Sequence, residues 1–289
     1  MRSKMTNVIR HTFQSYDGIM LYGRSFLSGV TEPIGHIIIQ HGLGEHNGRY
    51  QELCELLNQR DFSVHLLDLR GHGQSEGKRG DATGIEQLSI DLETFIEYLK
   101  SEGFDLKKPI LLGHSLGAAV ATWLALRHSN QFELSALAIS GAPFQVAMNF
   151  GQQIKQTAGK ILFQVAPSLT LDSGIDAKYL SHDGRVVDQY LHDPLVHSKL
   201  SVQLGLSILD AGNFLLSQAP RLKIPLWAAH GSDDRIADSN GTTHFYRKAG
   251  SKDKFLQIYD GFYHEIFNET NRHDPIEDLL AFIDHIFES

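Results

Sequence analysis

Three kinds of side chain in this sequence could together attack a carbonyl carbon and shuttle the proton that the attack releases. The first is a serine between glycines, Gly113-His114-Ser115-Leu116-Gly117. The G-x-S-x-G pattern alone is weak, since chance yields roughly 0.2 matches in a chain of this composition. Its flanks give it meaning. Pro109-Ile110-Leu111-Leu112 reads as a strand running into it, and Ala118, Ala119, Ala121, Leu124 and Ala125 read as a helix leaving it. A strand-to-helix turn this sharp strains the serine backbone and tolerates only small neighbours, hence Gly113 and Gly117. It also lifts the hydroxyl above the strand ends. The Leu116 N–H is left at a helix N-terminus, aimed at a developing oxyanion.

A serine hydroxyl is a poor nucleophile at neutral pH and needs a base that is itself held by a carboxylate. Both follow in the chain order Ser, Asp, His. Asp234 stands in His230-Gly231-Ser232-Asp233-Asp234-Arg235, just past the strand-like residues 225–229, with Asp233 and Asp238 as competing carboxylates. Among 16 histidines, His264 combines a strand end, a glycine-containing loop (Tyr259-Asp260-Gly261-Phe262-Tyr263) and a position after the acid. Open α/β sheets place their sites at that edge.

The elements that must position these groups alternate in kind. Strand-like runs at 8–14 and 19–26 flank Tyr16-Asp17-Gly18, a hairpin signal. Then come a strand at 36–40, a helix at 49–59, a strand at 63–68, a helix at 85–100, a strand at 108–112, a helix at 116–128 and a strand at 134–140. Late in the chain, 224–229, 237–248, 255–259 and 276–287 again read strand, helix, strand, helix. Such alternation predicts an α/β protein with a mostly parallel twisted sheet covered on both faces. Residues 144–218 break the rhythm, with helical stretches at 152–171, 186–190 and 204–216 and no convincing strand. They read as a helical cap inserted into a core formed by 1–143 and 219–289. The cluster Ile161, Leu162, Phe163, Val165 and Leu169 either lines a ligand tunnel there or packs a helix onto its neighbours.

The chain's 289 residues suffice for a large core, and its composition is ordinary for a globular protein. A net charge of −8 argues against nucleic acid as a partner. A single cysteine, Cys54, excludes an intrachain disulfide and a thiolate zinc cluster, and its helical setting reads as a small buried hydrophobe. His41 and His46 lack the companions that a helical zinc motif requires, so no metal is expected. No signal peptide and no apolar run of about 18 residues is visible, and the expected location is cytoplasmic.

The sequence resembles an α/β-hydrolase of the monoacylglycerol lipase and lysophospholipase-like branch, also grouped with serine aminopeptidase sequences. The likeness rests on His41-Gly42-Leu43-Gly44-Glu45-His46 with Arg49-Tyr50, on residues 68–77 (DLRGHGQSEG), on Gly113–Gly117, on His230–Arg235 and on Tyr259–His264. It implies Ser115 as nucleophile, His264 as base and then acid, and Asp234, favoured over Asp233 by the His-Gly-x-x-Asp spacing, as orienter. It implies an oxyanion hole from the N–H groups of Leu43 and Leu116, a loop shaped by His41-Gly42, and structural roles for Arg70 and His72. Glu45 and Arg49 either contact a substrate head group or pair with each other. Mammalian monoacylglycerol lipases carry a further histidine three residues after the catalytic one. Phe267 stands there in this chain, so the floor of the substrate pocket is expected to be more apolar. The implied reaction is hydrolysis of single-chain lipid esters through an acyl-Ser115 intermediate, without a cofactor, with the cap touching membranes transiently to collect substrate. Lysophospholipase or general esterase activity is the nearest alternative. An aminopeptidase holding an ammonium on Asp172, Asp176 or Asp183 and a non-catalytic receptor stand further off.

Overall fold

The computed structural model describes residues 7–127, 133–145 and 162–288. Strands β1 (Asn7–Gln14) and β2 (Met20–Leu27) form the hairpin around Asp17-Gly18, where Gly18 adopts a φ of 90° that a side chain would strain. There follow β3 (Gly35–Gln40), α1 (Gln51–Gln59), β4 (Phe62–Leu67), α2 (Ile85–Ser101), β5 (Ile110–His114), α3 (Leu116–Arg127) and β6 (Ala136–Ser140). The residue at 128, which the sequence adds to α3, lies outside the described residues. After β6 come β7 (Thr170–Asp172), α4 (Gly184–His192), β8 (Lys199–Ser201), α5 (Val202–Gln218), β9 (Leu226–Gly231), α6 (Ser239–Lys248), β10 (Lys254–Tyr259) and α7 (His273–Glu288).

Eight strands form one sheet in the order β1-β2-β4-β3-β5-β6-β9-β10, with β2 antiparallel to both neighbours and the rest of the pairs parallel. Strands β3 to β6 are buried on both faces, which is why β3, β5 and β6 run largely apolar; in β4 the alternating Ser63 and His65 are buried too. On one face Leu92 and Phe95 of α2, Val120 and Leu124 of α3 and Leu215 of α5 share a core. On the other, Leu53 and Leu57 of α1 meet Leu279 and Ile283 of α7, with Cys54 among them. The strand order reverses around β3 and β5, and the carboxyl ends there are where the candidate groups gather.

The described residues of the block 144–218 lie outside the eight-stranded sheet, and here one expectation needs correction. This block holds strands as well as helices: β7 and β8 pair antiparallel as a separate two-stranded sheet. Thr170 and Leu171 belong to β7, not to a helix continuing to 171. The helical turn at 162–165 ends one residue before Ala166-Pro167, since the residue preceding proline is pushed out of the helical region. The start of the expected helix, 152–161, lies outside the described residues.

Candidate active site

Ser115 sits between β5 and α3 with φ of 52°, the left-handed region that costs a β-carbon-bearing residue of order 1–3 kcal/mol. Its neighbours have no room for side chains. A β-carbon on Gly113 would lie 2.4 Å from the Gly117 carbonyl oxygen, and one on Gly117 would lie 2.1 Å from that of Gln40. The Ser115 N–H donates to the Ser140 carbonyl at 2.9 Å, which ties the turn to β6. Leu116 opens α3, so no carbonyl of that helix accepts from its N–H.

Asp234 follows β9 and His264 follows β10, and the fold brings them together. His264 Nδ1 donates to Asp234 Oδ2 at 2.6 Å, and His230 Nε2 donates to the same oxygen at 2.8 Å. The other oxygen accepts from the backbone of Ile236 and Ala237 at 2.7 and 3.0 Å. Burial opposes the charge on Asp234, but the two imidazoles and these donors hold its carboxyl well below the usual range. His264 is also buried, which disfavours its imidazolium, yet the Asp234 carboxylate outweighs burial and raises its pKa. Asp233 is exposed and Asp238 caps α6, so neither competitor reaches His264. Gly141, at φ of 57°, leaves space for the imidazole: a β-carbon there would lie 3.1 Å from its Cε1.

His230 was not singled out in the sequence, although it stands four residues before Asp234 in the same motif. Its Nδ1 accepts from the Thr242 hydroxyl at 2.7 Å, so α6 fixes the ring that fixes the carboxylate.

The loop after β3 approaches Ser115 from the other side. A β-carbon on Gly42 would lie 3.0 Å from that of Ser115. His41 is buried, and desolvation lowers its pKa to about 3. As a neutral ring it accepts from the Leu69 N–H at 3.0 Å and donates to the Gly42 carbonyl at 2.8 Å. Glu45 accepts from the Gly42 N–H and the Tyr50 hydroxyl, both at 2.7 Å, and from Arg49 at 2.8 Å. Arg49 in turn donates both terminal nitrogens to Glu265, at 2.6 and 2.8 Å. Although burial resists it, Arg49 holds the Glu265 carboxyl down to about 2. Sequence reasoning missed Glu265, which only the fold places opposite Arg49. Arg70 pairs with Asp91 and Asp17, and His72 bonds the Arg70 carbonyl; neither lines a cavity at Ser115.

Two cavities meet at Ser115. The larger, about 460 Å³, is walled mainly by Leu171, Leu200, Val202, Leu206, Ile208 and Leu209, with Leu43 and Leu116 beside the serine. The smaller, about 20 Å³, is lined by Glu45, His114, Tyr190, His264 and Glu265. Two expectations fail here. The apolar wall comes from β7, β8 and α5, not from the cluster at 161–169: Phe163, Val165 and Leu169 are exposed, Val165 by 77%, and Ile161 lies outside the described residues. Phe267 lines neither cavity at Ser115, facing instead a separate one beside Arg49 and Arg272. It lies in the short helix Ile266–Asn268, is buried in the core with residues of α7 and stacks on Trp227.

The block between β6 and β9 grips the histidine loop. The N–H groups of His264 and Glu265 donate to the carbonyls of Tyr179 and Leu180 at 3.3 and 2.8 Å. Buried Glu269 accepts from the backbone of both Tyr263 and His182.

A strained serine at the strand-to-helix turn, with a carboxylate–imidazole pair delivered from later strand ends of a mostly parallel sheet, is the architecture of the α/β-hydrolases. Within that class the chain belongs to the family described as serine aminopeptidase S33, whose profile matches residues 31–271, and it is a serine hydrolase. It is 35% identical over 259 residues to human monoglyceride lipase, covering 88% of this chain and 82% of that protein. It is 30% identical to the monoacylglycerol lipase of Mycolicibacterium smegmatis, covering 88% and 89%. The crystal structure of Paleococcus ferrophilus monoacylglycerol lipase superposes with a TM-score of 0.81 at 31% identity, covering 93% and 98% of the two chains. Among the described residues no helix is long and apolar enough to cross a membrane.

Proposed function

We propose that this protein hydrolyses single-chain lipid esters of the monoacylglycerol type, with Ser115 as nucleophile, His264 as base and then acid, and Asp234 as the group that orients His264. Ser115 transfers its proton to His264 as its oxygen attacks the ester carbonyl. The N–H groups of Leu43 and Leu116 stabilise the oxyanion, and the imidazolium then protonates the departing alcohol. Water repeats the sequence on the acyl-enzyme. The proton cycle closes among these groups, so no step calls for a metal or organic cofactor.

The observation that carries this reading is the pairing of cavities at Ser115. An apolar chamber of about 460 Å³ suits one acyl chain, and the small cavity beside it, where Glu45, His114, Tyr190, His264 and Glu265 stand among apolar side chains, holds the acid that must meet the leaving oxygen. Residues 144–218 serve as the cap over it. The aminopeptidase alternative lacks support in its candidate anchors. Asp172 and Asp176 at the chamber rim are exposed and bound within their own turns, and Asp183 pairs with Arg185. Incubation with a fluorophosphonate and a panel of medium-chain monoacylglycerols and aminoacyl anilides tests the reading. The expected result is a single adduct on Ser115 and turnover of the glycerol esters. Turnover of the anilides alone overturns it.

The exposed Phe163, Val165, Leu169 and Leu171 give the cap an apolar surface suited to transient contact with a lipid layer. Substituting Phe163 and Val165 with Asp is expected to reduce co-sedimentation with phosphatidylcholine vesicles. Unchanged binding removes this role.

A further inference from the structure

The reaction sets where the alcohol half of the ester must lie. His264 lines the small cavity and not the apolar chamber, and a general acid must reach the oxygen that it protonates. With the acyl chain in the chamber, the first atoms of the leaving alcohol therefore enter the small cavity. Its charged walls are carboxylates. Glu45 and Glu265 are 3% and 5% exposed, and a single guanidinium, that of Arg49, lies behind them and is shared between them. The guanidinium is further covered by the Tyr190 ring at 4.9 Å from its centroid. Two buried anions against one buried cation leave a net charge of −1 beside the leaving group. A volume of about 20 Å³, room for about one water, admits no screening layer.

We propose that Glu265, with Glu45, makes this leaving-group cavity a charge filter: esters of uncharged alcohols are accepted, and esters whose alcohol carries a phosphate close to the scissile bond are rejected. This rests on the ester-hydrolase reading and decides between its two lipid branches, in favour of neutral glycerides over lysophospholipids. Rejection works through repulsion as well as fit. An anionic head group entering this cavity is not met by the Arg49 guanidinium, whose terminal nitrogens already donate to carboxylates; Arg235 lines the apolar chamber and not this cavity. A cation in the same place would be tolerated. Glu265 is the better probe of the two, because Glu45 also holds the Gly42 N–H and its loss would disturb the loop beside Ser115.

The test compares kcat/KM for a medium-chain 1-monoacylglycerol with that for the lysophosphatidic acid of the same chain, both monomeric, on the intact protein. The wild type is expected to favour the neutral ester by roughly 30-fold or more. Glu265→Gln keeps the hydrogen bond to Arg49 but removes one negative charge, and is expected to narrow that ratio about tenfold. Glu265→Asp, which restores the charge, is expected to restore it. A wild-type ratio near one overturns the filter and needs no variant to do so. An equal loss on both substrates in Glu265→Gln, with the ratio unchanged, reduces Glu265 to a structural role and also overturns it. p-Nitrophenyl butyrate separates the two levels: turnover of this ester with a ratio near one sinks the filter alone. No turnover of any ester and no fluorophosphonate adduct sinks the hydrolase reading and the filter together.

Discussion

At the residue scale, one carboxylate decides the protonation of the imidazole. Asp234 raises the His264 pKa above the ordinary imidazole value of 6.5, so the free base on which the proposed reaction relies is depleted as pH falls through that raised value. Replacing Asp234 with Asn removes the charge, and His264, still buried, then titrates lower. Asp234→Asn is therefore expected to lower kcat/KM about a thousandfold to ten-thousandfold and to move the acid limb of the pH–rate profile towards lower pH. Asp233→Asn, on an exposed side chain, should leave both unchanged. A full-activity Asp234→Asn protein beside an inactive Asp233→Asn protein would reverse the assignment. The strained turn at Ser115 and the strand-end position of His264 were legible in the sequence because a strand, a small-residue turn and a helix adjoin each other locally, and because the order along the chain is informative. Glu265 was not, since its partner Arg49 lies 216 residues away and only packing brings it near; His230 stands four residues from Asp234, but no local pattern shows that its ring shares that carboxylate with His264.

At the element scale, the strand-to-helix turn depends on α3 lying close to β3. Gly117 makes that approach possible, and Gly117→Ala drives a β-carbon into the Gln40 carbonyl on the strand that leads into the His41–Gly44 loop. The backbone cannot yield cheaply there. Urea denaturation is expected to show a loss of about 2–4 kcal/mol, with turnover falling more than stability alone explains. A stability within 0.5 kcal/mol of wild type would mean that the helix can shift freely. Most strands and helices were legible as period and composition, and their ends moved by a few residues. The two exceptions share a cause. The three-residue strands β7 and β8 are too short to show a period, and Pro167 ends a helical pattern that apolar spacing alone extends.

At the scale of the whole molecule, the buried imidazoles make stability fall in acid. His41, His65, His72 and His114 lie inside the protein, and desolvation holds each below its ordinary value, His41 at about 3 and His114 at about 4. His65 stands in a chain of hydrogen bonds that crosses four strands: Ser25 Oγ lies 2.7 Å from His11 and 2.6 Å from His65, whose far nitrogen is 2.9 Å from His36. Below pH 6.5 the unfolded chain binds protons that these folded rings refuse. Stability therefore drops by roughly 1.4 kcal/mol per pH unit for each such ring, until the folded value is reached. His264 opposes this, since its raised pKa adds stability that is complete below 6.5 and lost as pH rises through the folded value, but it is one ring against these four, and burial lowers His11, His36 and His197 as well. The Tm at pH 5 is expected to lie roughly 10 °C or more below that at pH 7 by calorimetry; equal values would show that the folded rings accept protons.

What this sequence determined unaided is whatever neighbours along the chain dictate: the strained serine turn, the alternation of strand and helix, and the order in which acid and base follow the nucleophile. The tertiary structure alone decided that Phe267 is buried beside α7, which residues wall the large cavity at Ser115, and that Arg49 answers to two anions beside Ser115. Short-range conformation follows from sterics that a few residues carry with them. The identity of a distant partner follows from how faces pack, and no local pattern encodes that.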